Sequence, residues 1–496
     1  MLVGFCGQFS RQQAPHGFMP SRFCLKGLTR RLSCQSGELR LDVSYVVASG
    51  QELLSNPVLL CGHVANTDQL VSLLSQRGLL TDGGEEDWLR LLYQAYGADC
   101  FKLLEGLFTG AFLLGSRLVL FASKTPGPSL YYSARSQSGS VVFTTELKTL
   151  PAAWRDMRPF AEILSDSDED RASTTCLRHI LRVRAGHCVE IEWADAEPGI
   201  EDHAYYSVLR GITLTEEGDA AAQLRAVITE AVCCLPGESA DCLISGGLDS
   251  SIVASLAQRR FDRLALFSIG TTFNNEFDKA AIFAESIGLS VNRLLIDEED
   301  FLAALPEVVA MTEHCRSTFI EYLLPVHLAH LRIGNSADII VSGYGSDVLF
   351  AGFARPTDTL REVVRLVRGE YESTIWSNEA SQIMGGVIGA EVGYPFYDSR
   401  VVDLAFSIDP FLKHKNGIEK YILRRAFSGH LTEAVVSRPK LGIHQGTGCE
   451  VYLSTVIGRG QGVRQRKDRL CYEILRRILI DGKEPCEIDI KNMEYL

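Results

Sequence analysis

Hydrophobic positions follow one rhythm in the first two fifths of the chain and another beyond it. Up to about residue 200, short apolar stretches are separated by Gly, Ser, Asn and Pro, which predicts strands. Apolar residues at helical spacing predict helices over 69–80 and 87–104. This order of elements indicates an α+β layered domain. The predicted strands cover 58–60, 111–114, 118–122, 141–144 and 189–191.

Residues 194–202 are rich in Glu, Pro, Gly and Asp and predict a linker. We therefore place a boundary near residue 212, giving domains over 1–212 and 213–496. Strands then alternate with helices, which is typical of a parallel sheet with helices on both faces, and residues after about 358 are expected to be mainly helical. Predicted helices cover 220–234, 250–258 and 278–287, and predicted strands cover 241–244, 264–269, 291–295 and 338–341.

Charge and composition narrow the classes of function. The 496 residues carry a formal net charge of −13 without a basic cluster, so we expect no nucleic-acid or membrane partner. The apolar runs are too short to span a bilayer, and the first ten residues have no secretory pattern. The 14 irregularly spaced cysteines favour a cytoplasmic protein with reduced thiols. The composition is compatible with a monomer and with a homo-oligomer.

One loop has the composition of a phosphate-binding site. The strand ending at Ile244 is followed by Ser245-Gly246-Gly247-Leu248-Asp249-Ser250-Ser251, and a helix begins within 250–254. Glycines let the backbone approach an anion, and a helix N-terminus supplies N–H donors and partial positive charge. Asp249 would repel phosphates unless a divalent cation lay between them, so it is a predicted Mg²⁺ ligand. The simpler alternative is a capped strand–turn–helix.

This loop resembles the SGG-(I/L)-DSS loop of the N-type ATP pyrophosphatases, and later motifs extend the resemblance. In order and spacing they resemble the class B asparagine synthetases, and more narrowly the β-lactam synthetase and carbapenam synthetase branch. The resemblance covers nearly the whole chain and implies a C-terminal PP-loop ATP pyrophosphatase domain that uses ATP and Mg²⁺. The motifs are Ser268-Ile269-Gly270-Thr271, Asn275-Glu276-Phe277, Ser342-Gly343-Tyr344-Gly345-Ser346-Asp347 and Arg438-Pro439-Lys440-Leu441-Gly442.

Residues 1–212 resemble the glutaminase domain of the same superfamily, an Ntn-hydrolase-like αββα sandwich. The resemblance lies in Gly62-His63-Val64-Ala65-Asn66 and in residues 107–112. Working glutaminases of this kind need a cysteine at the mature N-terminus, whereas the first cysteine here is Cys6. We interpret Cys6 as a small apolar residue of the first strand, and the domain as an inactive relic.

The resemblance also implies roles within the synthetase site. Tyr344 with Glu379 would deprotonate an amine, since a phenol is a poor base without a neighbouring carboxylate, and Lys440 would stabilise an oxyanion. Asp249 and Asp347 would hold Mg²⁺. The ATP site would comprise Ser245, Gly246, Gly247, Leu248, Asp249, Ser250, Ser251, Ser268, Ile269, Gly343 and Lys420, and the substrate site Tyr322, Tyr344, Gly345 and Glu370. The structural alternatives are a helix cap for Asp347, a pocket wall for Tyr344 and surface charges for Glu379, Lys420 and Lys440.

The predicted reaction has two steps. The carboxylate of a small amino-acid-like substrate attacks Mg·ATP and releases pyrophosphate, and an amine of the same molecule then closes a β-lactam, as in antibiotic or toxin biosynthesis. One alternative is an asparagine synthetase-like or lasso-peptide-cyclase-like ligase with an external or macrocyclic amine. Tyr344 argues against a glutamine-dependent asparagine synthetase, which has Glu there. The other alternative, an inactive nucleotide-binding regulator, is disfavoured by the intact acidic residues and lysines.

Overall fold

The protein folds into two compact units in the computed structural model, which divide between Ser207 and Val208. The predicted boundary lay slightly later, near residue 212. Residues 478–482 also belong to the first unit, where Arg155 Nη1 donates to the Leu479 carbonyl at 2.8 Å. No helix in the described part of the chain is long and apolar enough to cross a membrane. The described residues are 2–10, 28–36, 39–47, 58–80, 87–137, 139–193, 197–208, 211–377, 388, 390–439, 441–458 and 460–493.

The first unit is built on an eleven-stranded sheet in the order β11-β10-β6-β5-β4-β1-β8-β7-β9, with β3 on β1 and β2 on β3. Its pairs are antiparallel except that β1 runs parallel to β4 at Leu2 and Cys61. The strands are β1 Leu2–Ser10, β2 Leu28–Ser36, β3 Leu39–Val47, β4 Leu59–Val64, β5 Gly106–Leu114, β6 Arg117–Ala122, β7 Tyr131–Ser133, β8 Ser140–Thr144, β9 Ile180–Arg182, β10 His187–Glu192 and β11 Gly199–Ala204.

Alternating side chains of β5 and β6 divide between two apolar clusters. Leu113 and Leu120 belong to an apolar cluster that contains side chains from both halves of the sheet, whereas Phe112 and Phe121 pack against helices. This is the two-residue period of strands that are buried on both faces. The unit therefore has one apolar cluster between parts of the sheet and a second between the sheet and helices. The αββα arrangement stays a prediction. The helices are α1 Thr67–Gln76, α2 Trp88–Tyr96, α3 Phe160–Ser165 and α4 Asp168–Ser173.

Two predicted elements of this unit were partly wrong. The helix predicted over 87–104 breaks at Gly97, whose φ of 58° ends α2, and a 3₁₀ helix follows over Gly97–Leu103. Within the predicted linker, β11 pairs with β10 along its whole length. Its side chains are mostly exposed, so backbone hydrogen bonds rather than an apolar pattern define this edge strand.

Cys6 is fully buried in β1, between β3 and β8, opposite Ser44 and Thr144. Burial raises the pKa of its thiol to about 11. An uncharged thiol in mid-strand is a poor nucleophile, which agrees with a structural role for Cys6. The absence of glutaminase activity stays a prediction.

The second unit contains a five-stranded sheet in the order β14-β13-β12-β15-β16, and every pair in it is parallel. A parallel sheet with helices between its strands matches the predicted α/β architecture. The strands are β12 Ser239–Leu243, β13 Arg263–Gly270, β14 Val291–Leu295, β15 Ile339–Ser342 and β16 Glu391–Gly393. The helices before β16 are α5 Glu217–Cys233, α6 Leu248–Arg260, α7 Phe277–Ser286, α8 Glu298–Thr312, α9 Ser317–Ile333, α10 Ser346–Leu349 and α11 Leu360–Ser377.

The C-terminal part of this unit is mainly helical, as predicted, but it also supplies β16. This strand has only three residues, and Glu and Gly are two of them, so the sequence carried no strand pattern. A short two-stranded pair, His414–Lys415 with Ile418–Glu419, follows. The helices are Ser399–Ser407, Pro410–Lys413, Tyr421–Phe427, Glu433–Val436, Ile443–Thr447, Glu450–Ile457 and Val463–Leu479.

Lys413 makes the stability of the protein dependent on pH. The side chain is buried (2% exposed), with Nζ 5.2 Å from the centre of the Phe406 ring, and burial lowers the pKa of the amine to about 7. An unfolded lysine has a pKa of about 10.4, so between about pH 10 and 7 the unfolded chain binds this proton more tightly. Stability therefore falls as the pH is lowered through that window and levels off below it.

We expect Lys413→Met to be more stable than wild type at pH 7, by roughly 1–3 kcal/mol, because methionine fills similar space without a charge to desolvate. Thermal unfolding midpoints at pH 7 and 9.5 measure this, and the advantage should shrink at the higher pH. Lys483→Met, at an exposed lysine, is the control. Equal pH dependence in Lys413→Met and wild type would contradict the account.

Candidate active site

The carboxyl ends of β12 and β15 bring two carboxylates to one ammonium group. Asp249 lies in the first turn of α6, after β12, and Asp347 lies in the first turn of α10, after β15. Lys420 Nζ is 2.5 Å from Asp249 Oδ2 and 2.6 Å from Asp347 Oδ1. The Lys420 side chain is only 2% exposed, so water screens these charges weakly. The structure thus brings together three residues that the sequence assigned to Mg²⁺ and pyrophosphate.

Backbone bonds hold Lys420 in an uncommon conformation. Its φ is 54°, in the left-handed region that residues other than glycine rarely adopt. Its N–H donates to the Phe350 carbonyl at 3.1 Å, and its own carbonyl accepts from the Arg424 N–H at 3.0 Å. This turn directs the Lys420 side chain towards the two carboxylates as the helix Tyr421–Phe427 begins.

The nucleotide loop, which we define as residues 245–251, has the geometry of an anion site. Its Gly246 has a φ of +68°, and a Cβ there would lie 2.5 Å from the Lys279 carbonyl, so glycine is required. Ser250 Oγ accepts from the Ser245 N–H at 3.2 Å, which closes the loop. Helix α6 starts without a side-chain cap, so its first N–H groups can receive phosphate oxygens.

The neighbouring strands support this loop. Ser268 and Ile269 are buried near the end of β13, beside β12. A Cβ on Gly343 would lie 2.6 Å from Asp249 C and Ser250 N, so the end of β15 touches the start of α6 directly. Ser346 Oγ donates to Asp249 Oδ1 at 2.6 Å.

Gly345 gives the chain its turn between Tyr344 and α10. Its φ is +98°, and it precedes the first residue of the helix. Tyr344 therefore stands on the same short turn as Asp347, close to the nucleotide loop.

Four tyrosine rings surround the end of β15, and we call them the tyrosine cluster: Tyr322, Tyr344, Tyr394 and Tyr397. The centre of the Tyr344 ring lies 6.4 Å from Tyr322, 5.9 Å from Tyr394 and 6.1 Å from Tyr397. These separations are typical of aromatic pairs. Tyr322 comes from α9, and Tyr394 and Tyr397 follow β16. The structure therefore brings the predicted substrate residue Tyr322 next to Tyr344.

The cluster continues towards the end of α11. Phe319 packs between Tyr322 and Trp376, with ring centres 5.8 and 5.0 Å away. Glu370 is half-buried on α11, about two turns before the end of that helix. The predicted catalytic residues Glu379 and Lys440 lie outside the described residues.

Several residues of the site were missed by the sequence analysis. Tyr394 and Tyr397 follow a strand that was itself missed. A Cβ on Gly352 would lie 2.1 Å from Asp347 Oδ1 and 2.5 Å from Lys420 Cε, so glycine is needed there for the ion pairs to form. Glu276 and Arg438 stood within recognised motifs, but only their contacts in the structure reveal them as a pair.

The donor set fits Mg²⁺. Asp249 and Asp347 offer hard oxygen ligands next to an anion-binding helix start, and Mg²⁺ is commonly held by one or two carboxylates together with substrate phosphates. The part of the chain that the structure describes has no group of three or more His, Cys, Asp or Glu side chains poised for a metal. A site of this kind would depend on a nucleotide to complete its ligands.

The chain is similar to known proteins over most of its length. The asparagine synthase family model matches residues 223–384 and 378–456. The chain is 30% identical over 436 residues to the carboxyethyl-arginine beta-lactam-synthase of Streptomyces clavuligerus, covering 87% of this chain and 82% of that protein. It is 27% identical over 435 residues to a glutamine-hydrolyzing asparagine synthetase of Triphysaria versicolor, covering 81% and 69%.

The chain belongs to the asparagine synthetase superfamily, whose members are ATP-dependent carbon–nitrogen ligases. Within it, the similarity to a β-lactam synthetase confirms the resemblance read from the motifs. Among solved structures, the Bacillus subtilis glutamine phosphoribosylpyrophosphate amidotransferase is 10% identical with a TM-score of 0.26, covering 55% of this chain and 67% of its own. A likeness this weak carries no argument.

We expect Gly352→Ala to weaken binding of Mg·ATP by about tenfold or more, because the added methyl group would displace the carboxylate of Asp347 and the stem of Lys420. Calorimetric titration with Mg·ATP measures the change. Gly369→Ala is the matched control, since a Cβ there has no atom within 4 Å among the described residues. Equal affinities of the two variants would contradict the steric role of Gly352.

Proposed function

We propose that this protein is an ATP- and Mg²⁺-dependent β-lactam synthetase, acting in antibiotic or toxin biosynthesis. It would adenylate the carboxylate of a small amino-acid-like substrate, release pyrophosphate, and close a four-membered amide ring with an amine of the same molecule. This goes further than the ATP-dependent ligase activity that membership of the superfamily implies.

The observation that carries the proposal is the position of Tyr344. Gly343 lies against Asp249 and Ser250 of the nucleotide loop, and Tyr344 is the next residue in the chain. A carboxylate activated at that loop would lie within reach of the phenol. A second aromatic ring, that of Tyr322 from α9, lies beside Tyr344 with ring centres 6.4 Å apart.

In the proposed mechanism, Lys420 and the start of α6 would receive the triphosphate, and Asp249 and Asp347 would hold Mg²⁺, whose charge would offset that of the phosphates. Tyr344, assisted by Glu379, takes a proton from the amine as it attacks the acyl carbon. Lys440 would stabilise the negative oxygen of the tetrahedral intermediate, which collapses to the amide as its bond to AMP breaks and AMP leaves. The substrate site would hold amine and carbonyl close together, which supplies much of the rate for a strained ring.

The burial of Cys6 supports the proposal that the attacking amine comes from the substrate itself. Cys6 is buried in mid-strand with a raised thiol pKa, and a glutaminase would need a free N-terminal cysteine instead. Without an internal source of ammonia, a nucleophile within the substrate is the simpler partner for the activated carboxylate.

Glu370 is the candidate for recognising the substrate's side chain. The Streptomyces relative is named for carboxyethyl-arginine, and a carboxylate at position 370 would pair with a cationic side chain of this kind. The candidate substrates are a clavam precursor, a carbapenam precursor and a tabtoxin-type precursor, and a cationic side chain would favour pairing with Glu370.

The test is pyrophosphate release from Mg·ATP with a panel of β-amino acid substrates, with mass spectrometry of the products. We expect a product one water lighter than its substrate. Tyr344→Phe, which removes only the hydroxyl, should slow its formation by about a hundredfold or more. Tyr394→Phe makes the same change on a neighbouring ring and should keep most of the activity.

Other outcomes would favour the alternatives. Pyrophosphate released only with a separate amine would indicate an asparagine synthetase-like or lasso-peptide-cyclase-like ligase. Tight nucleotide binding without release with any substrate would indicate a regulator. Equal loss of activity in Tyr344→Phe and Tyr394→Phe would remove the special role of Tyr344.

A further inference from the structure

Arg438 joins the nucleotide loop to the chain that leads into position 440. Its Nη1 donates to the Ser245 carbonyl at 2.8 Å, and its Nη2 pairs with Glu276 Oε1. The side chains of Arg438 and Glu276 are 13% and 9% exposed. Because both charges are largely removed from water, each depends on the other for compensation.

Glu276 also borders the chain on the far side of position 440. A Cβ on Gly446 would lie 2.8 Å from Glu276 Oε2, so the backbone passes close to the second carboxylate oxygen. One carboxylate thus contacts both flanks of the segment, with Arg438 before position 440 and Gly446 after it.

The loop between β13 and α7 holds the same distal flank with further hydrogen bonds. The Thr271 hydroxyl and N–H donate to the Thr447 carbonyl at 2.8 and 3.0 Å. Asn274 Nδ2 donates to the Gln445 carbonyl at 2.8 Å. These bonds hold residues 445–447 without Glu276. The contribution of Glu276 is to connect this distal flank to Arg438 on the proximal flank.

Arg424 ties the proximal flank to the helix that follows Lys420. Its Nη1 donates to the Val436 and Arg438 carbonyls, the latter at 2.9 Å. The segment before position 440 is therefore attached both to the helix of the phosphate-binding lysine and to the nucleotide loop.

Simpler roles do not account for Glu276. It stands at the N-cap of α7 but makes no side-chain capping bond. Lys279 approaches it only at 3.8 Å and is mostly exposed. A carboxylate close to the nucleotide loop would oppose the binding of triphosphate, so its contribution lies in its contacts with Arg438 and with the chain at Gly446.

We propose that Glu276 and Arg438 are positioning residues that hold the segment bearing Lys440 against the nucleotide loop, so that ring closure depends on the pair more than adenylation does. This rests on the proposed function. Without the pair, the acyl-adenylate would still form, but it would be lost to water more often than captured by the amine.

The experiment uses the full-length protein with Glu276→Gln, which keeps the shape of the side chain and removes its charge. We expect pyrophosphate release within about threefold of wild type, and about tenfold less ring product per pyrophosphate. Asp300→Asn is the control, since it removes the charge from the more exposed Asp300–Arg332 pair, which joins α8 to α9 in the same unit. Arg438→Lys keeps the charge but not both hydrogen bonds, and should be intermediate.

A second readout does not depend on the reaction. Trypsin cleaves after Lys and Arg but not before Pro, so a tryptic cut in this segment is expected after Lys440 and not after Arg438, which precedes Pro439. We expect cleavage after Lys440 to be about tenfold faster in Glu276→Gln than in wild type or Asp300→Asn, because proteolysis follows the population of opened chain.

Parallel loss of pyrophosphate and product in Glu276→Gln, or unchanged cleavage after Lys440, would overturn the proposal. If wild type itself gives no ring product with any substrate, the proposed function fails, and the cleavage rates alone then decide whether the pair holds the segment.

Discussion

The contact of Lys420 with Asp249 and Asp347 is the interaction on which the synthetase site depends. β12 and β15 are adjacent parallel strands, so their carboxyl ends meet at one edge of the sheet and bring both carboxylates there. Two such charges repel each other in a poorly hydrated place, and a buried ammonium between them removes the repulsion. This arrangement requires glycine at 343 and 352, because a side chain at either position would displace the neighbouring atoms of Asp249, Asp347 or Lys420.

This balance of charges also suits the arrival of a nucleotide. Two carboxylates and one ammonium leave a net negative charge, which favours a divalent cation, and the cation in turn favours the triphosphate. Beside this polar part lies the tyrosine cluster, in which Tyr394 and Tyr397 are buried and Tyr322 and Tyr344 are half-buried. An aromatic wall next to the reacting carbon would keep water from an activated acyl group, which a ligase must protect until its amine attacks. The site thus has a charged half and an aromatic half, which the proposed function assigns to the phosphates and to the acyl group.

The sequence predicted those features whose cause is local. The strand β12, the nucleotide loop and α6 follow each other within one short stretch. Apolar periodicity predicted the strand and the helix, and the resemblance of the whole seven-residue loop to a known phosphate loop predicted its role. By contrast, β11 and β16 are strands because of the backbone of a neighbouring strand, and their own side chains carry no alternation. Since Tyr394 and Tyr397 reach the site only through β16, they were missed with it. The partners of Lys420 lie far from it in sequence, and only a family resemblance could connect them.

The two units differ in how their candidate chemistry is joined to their packing. In the first unit, Cys6 is a small buried residue of β1, the strand that also supplies Phe5 and Phe9 to the apolar core. An unreactive thiol at this position therefore leaves the packing of the core intact. In the second unit, the groups with proposed roles also hold the structure: Asp249 accepts from Ser346, and Lys420 caps a helix in a conformation fixed by backbone bonds. The packing around Cys6 therefore does not depend on a reactive thiol, whereas in the second unit the two carboxylates and their lysine are part of the packing of the site.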